Sequence, residues 1–436
     1  MSAPDTKANF FRQSGWMMAA NVLSGVFMAA SQFMLPYLTP KSDFSVALTI
    51  LRIFILVSLP AAAIQVVLAQ QTAAAVTEEA RQDVSATARG VLKLVFMFWL
   101  ALLVVAAAFW SKIVILLQAT DPNIVWGMMM LILGSLLFPV FLGLLQGSQR
   151  FLPYGWAMIV NGVGRFTAIL VGVKFLQIGA TGATIAAFAG FAVACALALW
   201  PAKTLFQAKP RNFDRKAFLK KVGLLTAGAG STIFLINVDM ILVQAHFPKE
   251  ISQYYGGAET IGIAVVLLCV PVAAVMFPKI VRSRATATGS DALRLAVTGT
   301  AVIAGATAVF CTFFPEVPLR ILYHKSPEMV QAAPLIRWFM WAMVPVTIYN
   351  VLINNLIARE RYGIVPWAAV LSIGYAMTLY FFLTTTRQPP FVTFQRVIQI
   401  LIFFSTTLML ISVYFTRRAL AEESGENRSH PEGAKP

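Results

Sequence analysis

The sequence predicts an all-α polytopic membrane protein, with twelve transmembrane helices in two pseudo-symmetric six-helix lobes around a central cavity. Three observations predict it: the balance of apolar to charged residues, the number and length of the apolar runs, and an internal repeat that halves the chain. Of the 436 residues 58% are hydrophobic and 12% charged, with a mean hydropathy of +0.75. Soluble domains carry about 25% charged residues, so this chain has too little polar surface to cover a water-soluble globule. Length alone would suggest about three soluble domains; the hydropathy points instead to one polytopic bundle.

A membrane span needs about 20 predominantly apolar residues. Twelve such runs occur, at about 14–38, 44–69, 91–117, 124–147, 154–177, 179–200, 222–244, 254–279, 294–315, 334–358, 364–386 and 391–415. They are spans 1 to 12 in order, with spans 5 and 6 joined by a tight turn at "QIGATGA". Backbone groups in lipid must be satisfied within the protein, and no alternating strand pattern of about 10 residues appears, so the spans are helices.

The 34 Lys and Arg give a net charge of +16. No basic run is interleaved with aromatics, so no nucleic-acid partner is indicated. Of these cations, 23 fall on the N-terminus, the even-numbered loops and the tail with the span ends beside them, nine on the odd-numbered loops with the span ends beside them, and two, Arg52 and Arg165, deep within spans. The positive-inside rule then places both termini in the cytoplasm. Span 1 is too long for a secretory signal and lacks a small-residue cleavage site. Cys195, Cys269 and Cys311 lie inside apolar runs with no C-x-x-C spacing, and His246, His324 and His430 form no ligand cluster. Neither a cofactor nor a metal is indicated.

The repeat is read from two matches at one offset of 211 residues. "PAAAIQV" from Pro60 aligns with "PVAAVMF" from Pro271, and "LQGSQRFLPYGWA" from Leu145 aligns with "LIARERYGIVPWA" from Leu356. Six spans per repeat is an even number, so the halves share one orientation, as in transporters whose two lobes move about a central site. The implied organisation is an N-terminal lobe at 1–200, a basic cytoplasmic linker at 201–221, a C-terminal lobe at 222–418 and a disordered cytoplasmic tail at 419–436.

Several spans carry a narrow polar stripe. Span 1 places Ser14, Asn21, Gly25 and Gln32 on one face; span 7 places Thr226, Gly230, Asn237 and Gln244; span 5 places Tyr154, Asn161, Arg165 and Gly172; span 2 places Ser45, Thr49 and Arg52. Two readings stand: helix–helix glue, or the lining of a wet substrate site. The two arginines are the sharper signal. A charge at the centre of a span costs about 2.5–3.5 kcal/mol on insertion scales, and Arg165 lies too deep to snorkel. Intramembrane carboxylates that could pair with them are confined to Asp239 and Glu259, both in the other half of the chain. Either the arginines are buried in ion pairs, or they line a cavity that attracts an anion, for which the planar guanidinium fork suits phosphate. Glu259 shares a face of span 8 with Tyr255 and Gly262. For it and Asp239 the open readings are structural pairing and protonation or cation coupling.

The stretch Asn237-x-Asp239, the apolar run after it, a loop ending in Tyr254, and a helix with Pro271 that ends in Phe277-Pro278-Lys279 resemble a known pattern, as does "LLQGSQRFLPYGWAMIVNGVGRFTAILVGVKFLQIGATGATIAA", with Gly147, Arg150, Phe151, Arg165 and Gly179. They are similar to the polysaccharide-type (oligosaccharide/O-antigen) lipid flippases of the multidrug/oligosaccharidyl-lipid/polysaccharide, or MATE-like, transporter superfamily. The resemblance covers nearly the whole chain. It implies translocation of an undecaprenyl-diphosphate-linked oligosaccharide across the bacterial inner membrane by alternating access, with no covalent chemistry and no catalytic residues. It further implies a monomer working beside other polysaccharide-assembly membrane proteins. Arg52 and Arg165 would then hold the diphosphate, while Asn21, Gln32, Asn161 and Asn237 face the sugars. The lipid II flippases of that superfamily have fourteen spans rather than twelve. Its drug exporters usually carry a carboxylate in the first span, where this chain has Asn21 and Gln32. The alternatives are a cation-coupled small-molecule or multidrug antiporter on the same fold, and a membrane polymerase or glycosyltransferase. The latter lacks support, since the longest outer loop, about 316–333, has Glu316 and Glu328 but no D-x-D motif.

Overall fold

The computed structural model describes residues 16–17, 19–28, 30–31, 44–119, 121–174, 179–206, 208–283, 290–324 and 326–429, without the side chains of 172–180, 183, 268, 270–292 and 423–429. Gln32, Gln177 and Ile178 of the span 5–6 turn, and the side chains from Pro271 to Lys279 therefore lie outside the described residues. The described chain is helical, and it divides into two compact units, residues 1–226 and 227–436. Ten helical segments within it are long and apolar enough to cross a membrane.

The first unit contains α1 (Ala19–Met28), α2 (Phe44–Val57), α3 (Leu59–Ala74), α4 (Glu78–Ala108), α5 (Trp110–Leu117), α6 (Ile124–Gly147), α7 (Phe151–Lys174) and α8 (Gly179–Ala202). Span 2, expected as one helix, is broken at Ser58 into α2 and α3. Pro60 is the cause: proline has no N–H and disfavours helix just before it. The chain bridges the gap with a tighter turn, in which Ala61 N donates to Ser58 O at 3.0 Å. The Ser58 hydroxyl at the break meets that of Ser135 on α6 at 2.7 Å. Span 3 begins earlier than expected, at Glu78, because the Thr77 hydroxyl accepts from Ala80 N at 3.2 Å and Glu78 and Glu79 occupy the first turn. Those are N-terminal signals, and they extend the helix beyond the apolar run. Its far end is bent at Phe109, which separates α5.

α9 (Arg215–Leu235) crosses from one unit to the other. The second unit continues with α10 (Val238–His246), α11 (Lys249–Ser283), α12 (Ser290–Phe313), α13 (Glu316–Leu322), α14 (Ala333–Ala358), α15 (Val365–Thr385) and α16 (Pro390–Ser429). Span 7 is broken at Asn237, which caps α10 with φ −132°. The tail expected to be disordered from 419 continues α16 as helix through Ser429. Glu422 explains its inner part, since it accepts from Arg418 at 3.0 Å and from Arg361 at 2.9 Å.

The two units share one internal plan. α6 is the buried centre of the first and packs against α3, α4 and α8; α14 is the buried centre of the second and packs against α11, α12 and α16. The repeat extends to single hydrogen bonds. α6 ends with Arg150 N on Leu145 O at 2.9 Å and Gln149 N on Gln146 O at 3.2 Å; α14 ends with Arg361 N on Leu356 O at 2.9 Å and Glu360 N on Ile357 O at 2.9 Å. This is the Schellman cap, and its left-handed residues, Gln149 at φ 57° and Glu360 at φ 58°, stand 211 positions apart. The following arginines fasten the turn to the last helix of their own unit: Arg150 donates to Pro201 O, and Arg361 pairs with Glu422.

The basic stretch 201–221, read as a linker, is for half its length a strap fastened to α4. Arg89 donates to Phe206 O, Ser85 Oγ to Ala208 O at 2.9 Å, and Asn212 N to Asp83 Oδ1 at 3.2 Å. Arg211 pairs with Glu79 at 2.7 Å, and Leu205 and Phe206 pack on Val84, Ala88 and Leu144. The Phe213 ring lies so close over Gly90 that a Cβ there would stand 2.4 Å from it. Asp214 then caps α9, accepting from Ala217 N at 3.0 Å, while the Phe213 and Phe218 rings meet at 5.8 Å as a hydrophobic staple. Phe213→Ala removes the anchor of this strap. We expect trypsin to cut after Arg211 about tenfold faster in that variant, as for the loss of about 1–2 kcal/mol of local stability, followed by mass analysis of the fragments. An unchanged rate would show that the strap does not depend on Phe213.

Candidate functional site

The structure divides the predicted site residues between the units. Asn21, Arg52, Asn161 and Arg165 lie in the first; Asn237, Asp239 and Glu259 lie in the second. Gln32 is outside the described residues.

In the first unit, α7 carries the core of the site. Its small residues let neighbouring helices approach closely: a Cβ on Gly162 would stand 2.6 Å from Ser24 Cα on α1, and one on Gly155 would meet the Trp16 ring at 2.2 Å. The two polar stripes accordingly face each other. The Tyr154 hydroxyl donates to Asn21 Oδ1 at 3.2 Å, while Asn21 Nδ2 donates to Met17 O at 2.9 Å. Asn21 thus joins α1 to α7, the contact that helix–helix glue predicts. On the α8 side, Gly190 lies against the Arg165 backbone, where a Cβ would stand 2.9 Å from its N.

Arg165 is 8% exposed. Its guanidinium carbon lies 4.5 Å from the centre of the Phe191 ring on α8 and 5.5 Å from that of Phe54 on α2. The rings satisfy the cation's faces and leave its edge open: Nε and Nη1 have no hydrogen-bond partner among the described residues. One turn earlier, the buried Asn161 Oδ1 also has none, nor has Ser24 Oγ opposite. Arg165 stands 14 residues into α7, about 21 Å along its axis, which is membrane depth. Arg52, on α2, is fully buried and not without a partner. It belongs to the same unit, two residues from the Phe54 ring. Both arginines and Asn161 are residues that the sequence singles out. It does not indicate Phe54 and Phe191, whose role depends on helices distant in the chain.

In the second unit, the break at Asn237 sets the geometry. Asn237 Nδ2 donates to Ile233 O at 2.6 Å, and Asp239 falls in the first turn of α10. Helical spacing across span 7 would put Asn237 and Asp239 on different faces; the break removes that constraint. Asp239 is fully buried. Its Oδ1 accepts from Met240 N at 3.0 Å and its Oδ2 from the Tyr255 hydroxyl of α11 at 2.6 Å. Glu259, one turn beyond Tyr255, is also fully buried, and both carboxylates lie within electrostatic range of Tyr255 and of Tyr375 on α15. The Tyr375 hydroxyl has no hydrogen-bond partner among the described residues. Two carboxylates and two phenols from α10, α11 and α15 therefore share one buried cluster of the second unit. Among the described residues no group of three His, Cys, Asp or Glu forms a metal cluster.

No family model and no curated protein matches the chain in sequence. Solved structures match it in fold. A multidrug resistance MATE family transporter of the MOP superfamily, in an inward-facing conformation, superposes with a TM-score of 0.72 at 12% identity, over 93% of this chain and 98% of that one. The lipid II flippase MurJ, in an inward closed conformation, gives 0.69 at 15% identity over 93% and 87%. A MOP superfamily transporter from Pyrococcus furiosus Vc1 (DSM3638) gives 0.64 at 14% identity over 94% and 95%. The chain is a multi-pass membrane protein with the fold of the MOP superfamily transporters.

Proposed function

We propose that the protein is a flippase for an undecaprenyl-diphosphate-linked oligosaccharide, moving it across the inner membrane by alternating access of two six-helix lobes, 1–200 and 222–418, with both termini cytoplasmic. The observation that carries the reading is Arg165: a guanidinium at membrane depth, stacked between two rings, with two donors open and no carboxylate on it among the described residues. A buried polar group left unpaired costs about 1–3 kcal/mol. Such a cost is retained where a ligand supplies the missing bonds, and a diphosphate supplies acceptors in the geometry of the fork. Arg52 adds a second cation in the same unit. Asn161 and Ser24 offer polar atoms for sugar hydroxyls, with Asn21 and Asn237 supporting the polar faces. A solved lipid flippase shares the fold. Deletion of the gene should leave lipid-linked oligosaccharide facing the cytoplasm, inaccessible to an impermeant glycosidase added to spheroplasts. Full accessibility in the deletion strain would overturn the proposal.

The buried carboxylates favour a coupling role. We propose that Asp239 and Glu259 take up and release a proton or monovalent cation during the cycle. Asp239→Asn keeps the size of the side chain and its acceptor for the Tyr255 hydroxyl but removes the charge. In proteoliposomes, transport driven by an imposed proton or sodium gradient should fall at least about tenfold, while flux without a gradient persists. Equal gradient dependence in the variant would exclude coupling through Asp239. The same carboxylates support a second reading, a cation-coupled antiporter of small organic molecules. It would show as drug sensitivity of the deletion strain with polymer assembly intact.

A further inference from the structure

A groove of about 470 Å³ runs between α15 and α16 of the second unit, on the far side of Phe404 from Tyr375, whose ring centre lies 5.6 Å from that of Phe404. Its lining is mostly apolar, from Phe382, Ile400 and Phe404 with the exposed Phe403, and Arg396 and Gln399 stand toward the N-terminal end of α16. Arg396 is exposed, and its Nη1 donates to the Gln399 carboxamide at 2.9 Å. No carboxylate pairs with it among the described residues.

An exposed arginine near the end of a membrane helix is stabilised by an anionic lipid headgroup. The apolar segment from Pro390 to Glu422 has 33 residues, about 50 Å at 1.5 Å per residue. That exceeds a bilayer of about 40–45 Å with its headgroups. Arg396 stands six residues, about 9 Å, from the start of this segment, at the depth where headgroups meet acyl chains. From Arg396 to Phe404 the groove follows the helix for about 12 Å, the length of part of one acyl chain. The local chemistry is thus a single cation above a short apolar channel.

We propose that this groove binds one anionic glycerophospholipid, phosphatidylglycerol being the type, with its phosphodiester on Arg396 and an acyl chain along Phe403 and Phe404. One guanidinium matches one phosphodiester charge, and the hydrogen bond from Arg396 to Gln399 holds the fork at the groove mouth. The short channel does not fit a long polyprenyl tail. The site is distinct from the proposed substrate site: none of its lining residues belongs to the clusters around Arg165 or Asp239, and it touches the latter only through the Phe404 and Tyr375 rings.

The test is native mass spectrometry of the full-length protein released from nanodiscs of equimolar phosphatidylglycerol and phosphatidylcholine. The wild type should retain one phosphatidylglycerol in preference to phosphatidylcholine. Arg396→Gln should weaken that retention about tenfold, as for one charge-assisted contact, with phosphatidylcholine adducts unchanged. Arg387→Gln, in the adjacent loop and outside the groove, should retain the lipid and so controls for general surface charge. Phe403→Ala should weaken retention of both lipids. Equal retention of the two lipids by the wild type, or an undiminished preference in Arg396→Gln, would overturn the proposal. So would displacement of the lipid by equimolar undecaprenyl phosphate, which would assign the groove to a substrate tail, or by millimolar inorganic phosphate, which would show an anion site without a lipid chain.

Discussion

Arg165→Met should abolish transport without lowering the stability of the protein. The flux of lipid-linked oligosaccharide in proteoliposomes should fall at least about a hundredfold, as for the loss of one or two charge-assisted hydrogen bonds to phosphate. Stability behaves differently because Nε and Nη1 form no bond within the protein that the substitution would break. What the fold loses is the stacking on Phe54 and Phe191, about 1–2 kcal/mol for a desolvated cation on aromatic rings. What it gains is relief from a buried charge, and apolar replacement of buried charges is often neutral or stabilising by about 1–4 kcal/mol. The thermal midpoint in detergent should therefore hold or rise. Arg165→Lys keeps the charge but not the planar fork, so it should recover only a minor part of the flux. A methionine variant that transports normally would remove Arg165 from substrate binding. One that unfolds would show the arginine to be structural.

The largest effect on folding should come from two glycines on α6. Gly143 and Gly147 form a G-x-x-x-G face against α3. A Cβ at Gly143 would stand 2.7 Å from the Gln65 carbonyl oxygen, and one at Gly147 would stand 2.5 Å from that of Ala69 and 2.5 Å from Thr72 Cβ. The obstacles are largely backbone, which cannot rotate aside. Close approach of this kind drives helix association in membranes, where burial of apolar surface contributes little. It also permits the hydrogen bond from Gln65 to Gln146 at 3.2 Å. Gly147→Val should cost more than about 3 kcal/mol, read as a sharp fall in folded yield and thermal midpoint. Gly305 on α12 is the contrast: nothing lies within 4 Å of a Cβ there. Gly305→Ala should leave the fold intact and raise helix stability by up to about 1 kcal/mol. Equal effects at the two positions would refute the packing argument.

Much of this molecule is legible in the sequence because a bilayer imposes a simple rule. Each crossing must be a helix of sufficient apolar length, so hydropathy gives the elements and most of their positions. The repeat was visible for a local reason. A Schellman cap is made within six consecutive residues, and "LQGSQR" and "LIARER" carry the same turn, down to a non-glycine residue at positive φ. The arginines within spans stood out because charge is scarce there. The breaks were harder. Pro60 announces the one at Ser58, whereas Asn237 has no comparable mark, and there the backbone opens where Asp239 meets Tyr255 across from α11.

The sequence by itself determined that the chain is a multi-pass helical membrane protein, where its spans lie, that its halves repeat, and which ionisable residues must be accounted for inside the membrane. Only the tertiary structure decided what those residues touch: that phenyl rings rather than a carboxylate flank Arg165, that Tyr255 binds Asp239, and that the basic linker is strapped to α4. The physical reason is range. Helix formation, capping and hydropathy act over a few neighbouring residues, whereas the partners of a buried charge come from helices tens of residues away, brought together by packing that no local pattern encodes.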